Sequence, residues 1–128
     1  MPVDKNLPIL IVDDYKTMLR IIRNLLKQLD FSDIDEAIDG GMAIARMREK
    51  KYGLVISDWN MQPMTGLDLL RAVRSDAALK DTPFIMVTAE SGTQNVAAAK
   101  AAGVDNCIVK PFNAETLKAR ISGVLGTF

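Results

Sequence analysis

The sequence predicts an α/β protein built as a doubly wound, five-stranded parallel sheet with helices on both faces. Short continuous apolar runs recur along the chain: Ile9-Leu10-Ile11-Val12, Leu54-Val55-Ile56, Phe84-Ile85-Met86-Val87 and Cys107-Ile108-Val109. Such runs are the pattern of strands buried on both faces. Between them lie stretches with apolar residues at helical spacing, and this alternation specifies parallel strands joined by right-handed crossovers.

The first strand is Ile9–Val12, which stops abruptly at Asp13-Asp14. From Lys16 to Leu29, Met18, Ile21, Ile22, Leu25, Leu26 and Leu29 mark a helix, with Arg20, Arg23, Asn24 and Lys27 between them. A weaker strand is expected over Ile34–Ala37, then a turn at Asp39-Gly40-Gly41 and a helix from Met42 to Lys50. Leu54–Ser57 reads as a central strand ending at Asp58, followed by a loop through Pro63 and Gly66 and a helix carrying Leu67, Leu70 and Val73. Phe84–Val87 ends at Thr88. The alanine-rich helix Thr93–Ala102, suited to close packing, closes at Gly103 as a C-cap. Asn106–Val109 ends at Lys110, and Leu117, Ile121, Val124 and Leu125 mark the last helix. The seven methionines read as core filler. About five βα units use up the chain, so residues 1–128 are expected to form one domain.

Composition narrows the function classes. Of 128 residues, 48% are hydrophobic and 25% charged, enough to build a core. Sixteen basic and sixteen acidic residues cancel, so no diffuse positive field favours nucleic acid. The absence of histidine removes the Ser-His-Asp triad, histidine-ligated zinc and any phosphohistidine carried by this chain. The single cysteine, Cys107, forms no internal disulfide and suits a reducing compartment. The apolar run Leu7–Val12 falls far short of the ~20 residues of a membrane span, and MPVDKN lacks the basic-then-apolar layout expected of a signal peptide. A cytoplasmic protein that binds neither nucleic acid nor membrane is expected.

In an open parallel sheet, ligands bind beyond the carboxyl ends of the strands. Here those ends carry Asp13, Asp14, Asp58, Thr88 and Lys110. Taken singly, Asp13 or Asp14 suits a helix N-cap, Asp58-Trp59-Asn60 a turn, Thr88 a strand and Lys110 a solvated surface. Taken together, three carboxylates at one edge repel unless a cation sits among them, and all-oxygen ligands suit Mg²⁺ rather than zinc.

The acidic pair Asp13-Asp14, Asp58, the Thr88-Ala89 step and Lys110-Pro111-Phe112 resemble the receiver domains of two-component response regulators across essentially the whole chain. The segment Asp58-Trp59-Asn60-Met61, with Gly66-Leu67, is most similar to their single-domain chemotaxis regulators. The resemblance implies a flavodoxin-like fold with strand order 2-1-3-4-5. It implies that Asp58 accepts a phosphoryl group from a histidine kinase, with Mg²⁺ held by Asp14, Asp58 and the Asn60 main-chain carbonyl and with Asp13 acting through metal-bound water. Lys110 then neutralises a phosphoryl oxygen and Thr88 donates its hydroxyl, while the small Ala89 leaves the approach open. Asn60 and Glu90 match the polar pair flanking the water that hydrolyses the phosphoryl group. The chain would thus catalyse only its own phosphorylation and dephosphorylation, and would not be an enzyme acting on other substrates. A cis Lys110-Pro111 bond is implied too. Partners would be the kinase and an effector docking on the fourth helix, fifth strand and fifth helix, with a flagellar motor switch protein the family's first guess.

The chain departs from these relatives at Cys107, three residues before the lysine, where they usually carry an aromatic residue. Cys107 reads as a small core residue, and signalling is expected to run through Thr88 and the loop Ala89-Glu90-Ser91-Gly92. Trp59, beside the acceptor, reads as a partly exposed loop aromatic and a useful reporter. A single-domain phosphorelay protein or stand-alone regulator of another pathway remains an alternative, as does a phosphorylation-independent interaction module. A flavin mononucleotide binder would need a phosphate cradle after strand one, where Asp13-Asp14 would repel it. A haloacid-dehalogenase-type phosphatase would need a DxD pattern that Asp13-Asp14-Tyr15 does not supply.

Overall fold

A computed structural model describes residues 3–88 and 93–126. The elements are β1 (Ile9–Val12), α1 (Lys16–Gln28), β2 (Ile34–Ala37), α2 (Gly40–Glu49), β3 (Leu54–Asp58), α3 (Gly66–Ser75), β4 (Phe84–Thr88), α4 (Thr93–Ala101), β5 (Asn106–Val109) and α5 (Ala114–Leu125). The five strands pair in parallel in the order β2-β1-β3-β4-β5, the order that the resemblance implied.

Alternation along each strand splits the core in two. Ile9, Ile11, Leu54, Ile56, Ile85, Val87 and Ile108 face α1 and α5 and pack on Leu19, Ile22, Leu26, Leu117 and Ile121. Leu10, Val12, Val55, Phe84 and Met86 face the other side, against Ala43 and Met47 of α2 and Leu69, Leu70 and Val73 of α3. Leu69 and Leu70 are fully enclosed, so truncating either to alanine would cost about 2–5 kcal/mol.

Several local expectations shift. The Gly40-Gly41 pair opens α2 instead of forming a turn before it, because the Asp39 carboxylate accepts from the Met42 N–H (2.7 Å) and caps the helix two residues earlier than the apolar pattern suggested. Met42 consequently stands at the exposed start of α2, while Met47, Met61 and Met86 are core. Leu67 is only half-buried. Gly103 follows α4 at φ +95°, with its N–H on the Lys100 carbonyl, as a C-cap glycine should. Among the described residues no helix is long and apolar enough to cross a membrane.

Candidate functional site

The pleat decides which chemistry meets at the carboxyl edge. Asp13 continues the parity of Ile9 and Ile11, Asp58 that of Leu54 and Ile56, and Lys110 that of Ile108, so all three leave the sheet on the α1–α5 side. β3 and β5 are separated by β4, a span of roughly 10 Å that a lysine stem can bridge. Lys110 Nζ lies 2.9 Å from Asp58 Oδ1. The bond between Lys110 and Pro111 is cis, as the resemblance implied.

Asp13, Asp14 and Asp58 each offer a carboxylate oxygen within 4.8 Å of the other two. Asp13 is 1% and Asp58 5% exposed, whereas Asp14 faces solvent. Neither member of the acidic pair is the α1 N-cap: Tyr15 occupies that position, and no side chain caps it. One Asp13 oxygen accepts from the Tyr15 N–H at 2.9 Å, while Oδ2 is buried with no hydrogen-bond donor. Asp58 Oδ1 is also buried without a hydrogen bond and meets the Lys110 ammonium only as an ion pair. Burial, opposed by the Tyr15 N–H and reinforced by the Asp58 charge, pushes the Asp13 carboxyl up to about 6. Buried carboxylate oxygens without donors are costly, and a hard divalent cation satisfies them. The donor set therefore fits Mg²⁺, with Asp13, Asp14 and Asp58 as the residues that would hold it.

Asn60 lines a cleft of about 620 Å³ beside this trio, together with Asp14, Met61, Gln62, Pro63 and Thr65. Thr88 ends β4, 3% exposed, and its carbonyl accepts from the Lys110 N–H (2.8 Å). Trp59 is half-buried, its N–H on the Val87 carbonyl (2.8 Å), so the residue after Asp58 is tied to β4. Ala89, Glu90, Ser91 and Gly92 lie outside the described residues. Cys107, half-buried, pairs in register with Met86, and burial pushes its thiol up despite Lys100 and Arg120. It packs against the α2–α3 core from its margin, so the small buried core residue that the sequence suggested is only partly enclosed. Sequence reasoning gave no structural part to Ser57, whose buried hydroxyl donates to the Asp58 carbonyl oxygen at 3.0 Å. A polar residue inside an otherwise apolar strand was the available signal.

Residues 9–122 match the response regulator receiver domain family. Chemotaxis protein CheY from Pseudomonas aeruginosa is 48% identical over 91% of this chain and 94% of its own length. Chemotaxis protein CheY-3 from Vibrio cholerae is 44% identical over 95% of this chain and 94% of its own. The structure of Vibrio cholerae chemotaxis protein CheY4 superposes with a TM-score of 0.87 at 33% identity, covering 94% of this chain and 99% of that one. With its strand order, its carboxyl-edge acids and these relatives, the chain belongs to the response regulator receiver domains and is CheY-like.

Proposed function

We propose that the chain is a phosphorylation-activated switch that accepts a phosphoryl group on Asp58 from a histidine kinase and signals by binding another protein, in chemotaxis. One observation carries the reading: two buried carboxylates, each with one oxygen that receives no hydrogen bond, stand beside a solvent-facing third carboxylate, and a lysine ion-pairs with one of them.

An Asp58 carboxylate oxygen attacks phosphorus in line, the bond from phosphorus to the kinase's histidine nitrogen breaks, and the electron pair leaves on the imidazole. Lys110 compensates charge on the acyl phosphate as a point charge. Mg²⁺ bound by the acidic trio would supply charge neutralisation at the transferring phosphoryl oxygens. The Thr88 hydroxyl donates to the product and draws its strand end toward Asp58. Asn60, which lines the cleft, assists the water that later attacks, and Glu90 is the second residue assigned to that role by the resemblance. The chain catalyses only these changes to itself, and its place of action is the cytoplasm. The effector docks on the α4–β5–α5 face, a flagellar motor switch protein being the first candidate to test.

The test is incubation with a small-molecule phosphodonor and Mg²⁺ followed by mass mapping. Label confined to Asp58, absent from Asp58→Asn, supports the reading; equal label in the variant contradicts it. In pull-downs with beryllofluoride, Thr88→Ala is expected to lose most of the gain in effector binding and Cys107→Ala little of it.

A further inference from the structure

We propose that Gly66 and Ser57 are positioning residues that hold the main-chain carbonyl of Asp58 from behind and so set where its carboxylate stands. The inference rests on the reading of Asp58 as the phosphoryl acceptor.

Gly66 is the first residue of α3 and lies where the loop from Trp59 returns to the strand it left. Its N–H donates to the Trp59 carbonyl at 2.9 Å. A Cβ built on Gly66 would overlap the Asp58 carbonyl oxygen, lie 3.0 Å from the carbonyl carbon and 2.7 Å from Met86 Sδ. Gly66 is not among the described glycines with positive φ, which are Gly103 and Gly126. Glycine is therefore required here by space, not by backbone conformation. The same carbonyl oxygen accepts from the Ser57 hydroxyl at 3.0 Å.

α3 cannot easily retreat from this contact. Thr65 and Asp68 form a reciprocal capping box (3.1 and 3.2 Å) that fixes the helix start, and Leu69, Leu70 and Val73 are fully buried against the sheet. Trp59 is tied to β4 through the Val87 carbonyl. A methyl group at Gly66 would thus push on the peptide of Asp58, whose carboxylate must stay in register with Asp13, Asp14 and Lys110. A displacement of about 1 Å at a reacting group costs on the order of 100-fold in rate. Met86 is flexible and can swing aside; the Asp58 peptide cannot.

The test compares Gly66→Ala with Gly53→Ala. Gly53 sits just before the other end of β3, where an added Cβ would overlap the flexible Leu7 side chain, far from the acids. Both variants should lose stability. Only Gly66→Ala should lose Mg²⁺ affinity, by about tenfold, and phosphodonor labelling rate, by about 10–100-fold. Adding Met86→Ala should not restore either, because it clears the sulfur and leaves the carbonyl crowded. Restoration by Met86→Ala, or equal loss of Mg²⁺ affinity in both glycine variants, would overturn the proposal. Should Gly66→Ala not fold, Ser57→Ala decides: several-fold weaker Mg²⁺ binding supports the carbonyl hold, and unchanged binding contradicts it. If the wild type takes no label on Asp58, the functional reading fails, while the Mg²⁺ titrations still judge Gly66 and Ser57.

Discussion

At the amino edge of the sheet, Arg74 donates to the carbonyls of Gly103 (2.9 Å), Lys80 (2.9 Å) and Thr82 (2.6 Å) and pairs with Asp105 (2.9 Å). Asp105 in turn accepts from the Phe84 N–H (2.8 Å). Nearby, Lys50 bridges Asp33 (2.8 Å) and Asp35 (3.1 Å), and the Tyr52 hydroxyl donates to Asp35 (2.7 Å). At the carboxyl edge, by contrast, Asp13 and Asp58 each leave a buried oxygen without a hydrogen bond, that of Asp58 meeting Lys110 only as an ion pair. Asp35 and Asp13 shift in opposite directions: the Tyr52 hydroxyl and Lys50 hold Asp35 below the usual carboxylate range, whereas burial raises Asp13 to about 6. Similar residue types thus brace one edge and leave the other in need of a ligand.

The sharpest way to break the contrast is at Arg74. Arg74→Ala removes four contacts and strands the carbonyls it served, and should cost about 2–4 kcal/mol in chemical denaturation. It should leave Mg²⁺ affinity unchanged.

Asp13→Asn should do the reverse, stabilising the metal-free protein at pH 7 by roughly 1–2 kcal/mol, allowing for solvent screening. The sign follows from the raised pKa. Between about 4 and 6 the native state holds the Asp13 proton more tightly than the unfolded chain does, so stability falls as pH rises through that window. Above about 6 the loss is complete. Metal-free melting curves across pH 4–7 should show this decline in the wild type and less of it in Asp13→Asn.

Tyr52→Phe deletes one hydrogen bond to Asp35 and should cost about 0.5–1.5 kcal/mol, its effect shrinking below pH 4 as Asp35 becomes protonated. Smallest is Arg48→Ala, which breaks an exposed pair with Asp76 (2.8 Å). A change within about 0.5 kcal/mol is expected there, vanishing at high salt.

The carboxyl edge was legible in the sequence because the strand runs stop on the candidate site residues, Val12 giving way to Asp13, Ser57 to Asp58 and Val109 to Lys110, even though edge strand β5 buries only Ile108 fully and leaves Val109 exposed. β2 was faint because an edge strand needs burial only at its ends: Ile34 and Ala37 are buried, and Asp35 and Glu36 reach outward to Tyr52 and Arg23. The amino-edge brace was illegible. Arg74 meets partners between 6 and 31 residues away, and no local pattern encodes that meeting. Gly66 was visible as part of a family motif, but its role depends on a carbonyl eight residues upstream being folded back against it.

The contrast between a satisfied and an unsatisfied edge is tested most directly by titrating Mg²⁺ into the wild type, Asp14→Ala and Arg74→Ala by calorimetry, with Trp59 fluorescence followed in parallel. One ion should bind the wild type and Arg74→Ala with equal affinity, and at least about tenfold more weakly to Asp14→Ala. Identical titrations for the wild type and Asp14→Ala, or no binding to the wild type at all, would contradict it.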